Sequence, residues 1–172
     1  MPTCHVIPLM LDIHPINALM SVEPNIRVAT IADSDWLSTC TDEAYGVYIS
    51  DLGRKPLPMT VDYRAALDDY EIWIVEIEGT RTGLLMLQNE DDHVLIYSVA
   101  VLPEFSGHGI DKLLQTHAEN IAVKNGFNQL RLYTNELMKY NLALYRRFGY
   151  VDTHVTRYKG SNVIHLQKPL AV

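Results

Sequence analysis

Val99-Ala100-Val101-Leu102-Pro103-Glu104-Phe105-Ser106-Gly107-His108-Gly109-Ile110-Asp111-Lys112-Leu113-Leu114 is the stretch from which the rest of the chain can be read. The apolar run before Pro103 has the character of a buried strand, the proline marks its exit, two glycines mark a turn, and Leu113 and Leu114 open a helical stripe. At such a junction the first amides of the helix lack partners and the positive end of the helix dipole stands behind them. The place suits an anion, a pyrophosphate included. Gly107 and Gly109 have no Cβ, so the main chain can turn tightly there and come close to a phosphate. The glycine-rich alternatives fail on spacing. A dinucleotide fingerprint would need glycine where Lys112 stands, and the nucleoside-triphosphate loop needs a Gly-Lys-Ser/Thr that is absent from the sequence.

The surrounding chain has 172 residues, 48% of them hydrophobic, which is one domain with a sizeable core. Lys and Arg number 14 against 21 Asp and Glu, for a net charge of −7. A nucleic-acid binder carries a basic stripe, so no nucleic-acid partner is expected; an acidic surface instead steers cations or basic tails from a distance. Cys4 and Cys40 make no CxxC or Cys/His ligand spacing, and a reducing cytoplasm is the default compartment. The histidines offer no HExxH, so no metal is expected: His108 reads as loop surface, His117 as helix surface or edge, His165 as a strand residue. The acidic run Glu90 to Asp92 reads as a solvated hairpin turn. In residues 1–24, Pro2, Pro8, Pro15 and Pro24 interrupt the apolar run Val6 to Leu11, and no Lys or Arg precedes it. Neither a leader peptide nor a membrane span is expected; the segment reads as an amino-terminal arm, extended on the domain or on a second subunit, or disordered.

From Asn25 the pattern is regular. Asn25 to Ala29 reads as a strand, Thr30 with Asp33 as a helix N-cap pair, and Trp36, Leu37, Cys40, Ala44, Val47 and Tyr48 as the stripe of a helix ending near Gly53. Arg54-Lys55-Pro56-Leu57-Pro58-Met59 is a proline-stiffened loop, and Thr60 is placed to cap a short helix through about Asp69. Glu71–Glu78, Thr80–Gln88 and His93–Leu102 alternate as strands, joined by turns short enough for antiparallel hairpins. Leu113 to Ala122 is a helix that Gly126 closes, and Gln129–Tyr133 a strand, which together make a parallel crossover. Met138–Phe148 is a last helix, followed by strands near Tyr150–Tyr158 and Asn162–Gln167.

With the glycine-bearing stretch and Asn141-Leu142-Ala143-Leu144-Tyr145-Arg146-Arg147-Phe148-Gly149-Tyr150 about thirty residues later, the chain resembles the GNAT family of acetyl-CoA-dependent N-acetyltransferases. The order of elements agrees from about residue 26 to 168. The resemblance implies an α/β (α+β) domain over residues 25–172: a central mixed, mostly antiparallel sheet of six to seven strands, splayed between strands 4 and 5 and flanked by about four helices. It implies acetyl-CoA as co-substrate, its pantetheine arm pairing with the main chain of Val99 and Val101 like an added strand. An amide near Val101 would polarise the thioester carbonyl.

Site residues follow from the same resemblance. The phosphate loop falls on Ser106, Gly107, His108, Gly109, Ile110 and Asp111. Of the family pattern Gln/Arg-x-x-Gly-x-Gly/Ala only Gly109 fits: Ser106 replaces the long polar residue, and Asp111 stands where a small one is expected. A carboxylate suits the first turn of a helix but repels a phosphate there. The expectation is that Asp111 turns to solvent and CoA binds weakly, or that the chain has lost the cofactor. Tyr145 is the implied general acid to the departing thiolate, and Asn141 an implied amide contact to the cofactor. For the base, Val94–Ser98 holds no carboxylate; Glu136 is one candidate and a water chain the other. The first two helices and the Pro56–Pro58 loop form the acceptor wall in this family. The expected activity is direct acetyl transfer to a primary amine of a small molecule or peptide, by a chain that forms a homodimer as GNAT proteins commonly do. The alternative is a degenerate, non-catalytic module of the same fold that binds an acyl-CoA or a protein partner.

Overall fold

The computed structural model describes residues 22–171, so the amino-terminal arm read over residues 1–24 lies almost wholly outside them. Seven strands form one sheet: β1 (Asn25–Val28), β2 (Glu71–Ile77), β3 (Thr80–Asn89), β4 (Val94–Val101), β5 (Gln129–Asn135), β6 (Val151–Tyr158) and β7 (Ser161–Pro169), in the order β1-β2-β3-β4-β5-β7-β6. Neighbours are antiparallel except β4 and β5, which run parallel because α4 (Ile110–Lys124) carries the chain across between them. The expected mixed, mostly antiparallel sheet is therefore present.

Strand alternation divides the core in two. On β3, Leu84 and Met86 face the layer of α1 (Ser34–Tyr45) with Leu37 and Cys40, while Leu85 and Leu87 face α4 with Leu114, Ala118 and Ile121. Gly83 of β3 serves the second layer: a Cβ there would lie 2.9 Å from the Ala100 carbonyl and 3.2 Å from Ile110. Only glycine lets the start of α4 settle so close to the sheet. At the head of α1, Thr30 N–H donates to Asp33 Oδ2 (2.9 Å), as the cap pair requires. Asp33 is then clamped by Arg27 (2.8 and 2.9 Å) and Arg81 (3.2 Å), and the Arg27 bonds hold its carboxyl well below the usual range.

Two local expectations are corrected. The helix read from Trp36 to Gly53 is interrupted by a tight turn at Gly46–Tyr48, leaving α1 and a one-turn α2 (Ile49–Leu52) that Gly53 closes with φ +65°. Thr60 caps no helix. Its hydroxyl donates back to the Leu57 carbonyl (2.8 Å) in a turn over Leu57–Thr60, and the cap passes to Asp62, whose carboxylate accepts the amides of Arg64 (3.0 Å) and Ala65 (3.2 Å) at α3 (Tyr63–Ala66). A carboxylate that takes two amides outcompetes a hydroxyl that has spent itself locally. The last helix, α5, spans Lys139–Arg147.

The feature that positions the site is the parting of β4 from β5. The pair is in register only at Val94↔Leu130 and Leu95↔Arg131; beyond, each strand runs on without the other. Leu102 N–H donates to Thr82 O on the β3 side (2.9 Å), so by the alternation of strand groups the main chain of Val101 and Val99 faces the opening.

Candidate active site

Two cavities occupy the opening, and Tyr45, Asn141 and Tyr145 line both. The larger, about 540 Å³, runs from Val99 and Val101 to Ser106, Gly107 and Asp111. The smaller, about 230 Å³, lies between Tyr97 of β4, Tyr133 of β5, His165 of β7 and the loop carrying Arg54 and Pro56–Pro58.

The larger cavity has bare main chain along one end of its wall. Gly107 and Gly109 adopt φ of +78° and +82°, and a Cβ at either would meet nothing within 4 Å, so the loop presents bare backbone to open space. Gly109 is the N-cap of α4 and supplies no side chain to the helix's first amides. Ile110 is buried in the core, so only its amide remains for a ligand. His108 is exposed, its Nδ1 lying 3.1 Å from the Ser106 carbonyl. Asp111 departs from expectation. It is half-buried and lines the cavity rather than turning to solvent, because the second residue of α4 faces the gap above Val101.

The tyrosines where the cavities meet differ in one respect. Tyr45 donates its hydroxyl to the Val99 carbonyl (2.9 Å) and lies 3.2 Å from Ser98 Oγ; burial pushes its pKa up to about 12, so it stays a neutral donor. Tyr48 donates to Asn141 Oδ1 (3.0 Å), which fixes that amide and leaves its Nδ2 donors aimed by the pairing. Tyr150 accepts from Gln115 Nε2 (2.7 Å) and packs edge-on against Tyr145 at 5.8 Å. In this group only the Tyr145 hydroxyl makes no hydrogen bond with another described residue; burial, then the neighbouring Tyr45, raises it well above the ordinary value. A tyrosine kept for packing alone would ordinarily be bonded like its neighbours.

Glu136 is not brought to this place. Its carboxylate accepts the main-chain N–H of Asn162 (3.0 Å) and the Asn162 side chain (3.0 Å), pinning the turn after β5 to β7, and it lines neither cavity. The smaller cavity instead holds residues that sequence reasoning did not single out. His165 stacks on His154 (4.0 Å between centroids) with Nε2 2.9 Å from Thr156 Oγ1; burial, then His154, lowers its pKa, so the ring is neutral near pH 7. Arg54 lies over the Tyr158 ring at 5.2 Å. The loop that carries it was legible as an acceptor wall, whereas His165 gave no signal beyond its strand. Among the described residues no cluster of His, Cys, Asp and Glu could hold a metal, and no helix is long and apolar enough to cross a membrane.

A family model described as Acetyltransferase (GNAT) family matches residues 34–150. No curated protein matches the sequence. Among solved structures, the chain is similar to PaiA N-acetyltransferase from Thermoplasma acidophilum in complex with coenzyme A, at 18% identity over 86% of this chain and 99% of that one, with a TM-score of 0.71. It is similar to the ribosomal-protein-S18-alanine N-acetyltransferase from Escherichia coli at 16% identity, covering 87% and 96%, with a TM-score of 0.72. A GNAT family acetyltransferase from Elizabethkingia anophelis with acetyl-CoA bound gives 17% identity, 86% and 98% coverage and a TM-score of 0.62. At these identities the likeness is one of fold.

Proposed function

Because the chain belongs to the GNAT acetyltransferase family, we propose that it transfers an acetyl group from acetyl-CoA to a primary amine by direct attack, the larger cavity taking the cofactor and the smaller one the amine. The observation that carries this reading is the meeting of the two cavities at Tyr145, whose hydroxyl makes no hydrogen bond with another described residue. The loop from Ser106 to Ile110 supplies amides for the pyrophosphate, and the exposed main chain of Val99 and Val101 pairs with the pantetheine arm. With the arm held there, the Val101 amide would be the main-chain donor that polarises the thioester carbonyl.

In the reaction the neutral amine attacks the carbonyl carbon, the C–S bond breaks, and the thiolate takes the Tyr145 proton. A hydroxyl whose pKa is raised is a weak acid, but the burial that raises it also raises the affinity of the thiolate for a proton. The amine's own proton leaves on the acceptor side. There we assign it to His165, neutral and lining the cavity, in place of Glu136, which is engaged with Asn162.

Tyr145→Phe removes the acid and no hydrogen bond to the described residues. It is expected to lower kcat by about two to four orders of magnitude with the CoA dissociation constant unchanged. Full activity in Tyr145→Phe would withdraw the assignment. One observation favours the alternative of a non-catalytic module: Asp111 stands in the cavity meant for phosphates. Calorimetry with acetyl-CoA shows whether the cradle works, since a degenerate one gives no heat at millimolar ligand and a working one gives micromolar binding that weakens with salt; acetyl transfer to an added amine then separates the enzyme from a module that only binds acyl-CoA.

A further inference from the structure

The lining of the smaller cavity has a charge opposite to that of the chain. The sequence carries 21 Asp and Glu against 14 Lys and Arg, yet none of the residues lining this cavity is Asp, Glu or Lys, and Arg54 is its one charged side chain among the described residues. Arg54 is also incompletely used. Its Nη2 makes two long hydrogen bonds, to the Tyr158 carbonyl at 3.4 Å and to Ser161 Oγ at 3.3 Å, and its Nε–H is buried with no partner. That Nε–H is closed in by its neighbours, whereas Nη1 makes no hydrogen bond with another described residue and its donors are left for a ligand. Nη1 and Nη2 form the end-on fork of an arginine, whose two parallel N–H bonds match the two oxygens of a planar carboxylate. Around that fork the walls are aromatic and apolar: Tyr97, Tyr133, Tyr158, Leu57 and Met138.

We propose that the acceptor is an amine bearing a carboxylate, an α-amino acid with an aromatic or apolar side chain, held by its carboxylate on the Nη1/Nη2 end of Arg54; the proposal rests on the reading that the smaller cavity takes the amine. The volume of about 230 Å³ is below the roughly 300–1,000 Å³ of sites for drug-sized ligands and fits one such molecule. Acceptors with a second ammonium group fit badly, because their extra charge meets the guanidinium with no carboxylate to offset it.

The test uses the full chain with acetyl-CoA, and phenylalanine, phenylalaninamide, phenethylamine and spermidine as acceptors, read by thiol release; binding of N-acetylphenylalanine is measured separately by calorimetry. The wild type is expected to prefer phenylalanine to phenethylamine by about 30- to 1,000-fold in kcat/KM, since a site built to bond a group rejects the analogue that lacks it. Arg54→Met is expected to collapse that ratio, and Arg54→Lys to restore part of it, with the acetyl-CoA dissociation constant showing that both variants fold. Equal kcat/KM for phenylalanine and phenethylamine in the wild type, or a ratio that survives Arg54→Met, overturns the proposal while leaving acetyl transfer in place. If no acceptor is turned over but N-acetylphenylalanine binds and Arg54→Met abolishes that binding, the carboxylate site stands and the transfer reading falls. Absence of binding by N-acetylphenylalanine at millimolar concentration, with no turnover of phenylalanine, overturns the carboxylate site as well.

Discussion

The two cavities that meet at Tyr145 are built of different material. The larger one offers a ligand bare backbone beside its side chains: the amides of the Ser106–Ile110 loop and the strand edge that β4 exposes where β5 leaves it. The smaller one offers side chains, from β4, β5, β6, β7, α1 and the loop before α3. Backbone recognition tolerates substitution, because replacing a side chain leaves the amide in place. Side-chain recognition does not, so one scaffold can keep a cofactor while exchanging its acceptor.

The contrast is broken most severely by a change that reaches the backbone itself. Gly109→Val places a β-branched residue at φ +82°, a conformation it adopts only under strain, and puts its side chain into the open space before the loop. CoA affinity is expected to fall by about 30- to 100-fold, equivalent to ~2–3 kcal/mol. Ser106→Ala, which alters a lining side chain on the same loop, is expected to change it by less than about 3-fold. Comparable losses in the two variants, measured by calorimetry, would mean that the loop binds through side chains after all.

The same contrast explains what the sequence disclosed. The Val99–Leu114 and Asn141–Tyr150 stretches are local patterns of strand, breaker, glycine and helix stripe, so the fold and the glycine-bearing end of the larger cavity could be read from short windows. The Thr30–Asp33 cap and the hairpin turns are local in the same way. Gly83 could not be read, because its reason is the approach of Ile110, far along the chain. Nor could Glu136 be judged: its engagement depends on Asn162, 26 residues on, and from sequence it was as free to serve as a base as any surface carboxylate. Arg54 and His165 meet only when the sheet has formed, and the unbonded Nη1 of Arg54 depends on where Tyr158 and Ser161 come to rest. A site assembled from side chains remote in sequence leaves no window in which to see it.

On the acceptor side, a pH profile sharpens the comparison. An unbound amine is mostly protonated below its own pKa, so log kcat/KM rises with unit slope as pH rises towards that value. His165 has a pKa lowered from 6.5, so it is neutral through the upper range and becomes protonated, unable to accept, only as pH falls below that lowered value. The wild type is expected to steepen to a slope of two there, with a midpoint below pH 6.5, and His165→Gln to keep a slope of one and lose about 10-fold at neutral pH. A slope of one throughout in the wild type would transfer the proton to water.

The smallest expected effect concerns the carboxylate that lines the larger cavity beside the glycine loop. In the free protein Asp111 sits in the first turn of α4, where a carboxylate is favoured by the helix dipole. Once a pyrophosphate binds at the same helix start, the sign reverses, and the like charges repel by ~1 kcal/mol after solvent screening. Asp111→Asn keeps the shape and removes the charge, so CoA is expected to bind about 5-fold more tightly at low ionic strength, with the gain shrinking as salt is added. The variant should lose a little thermal stability, since the favourable dipole contact goes with the charge. If the affinity of wild type and variant is the same at low salt, the pyrophosphate does not lie at the start of α4, and the amides of Gly109 and Ile110 are not its ligands.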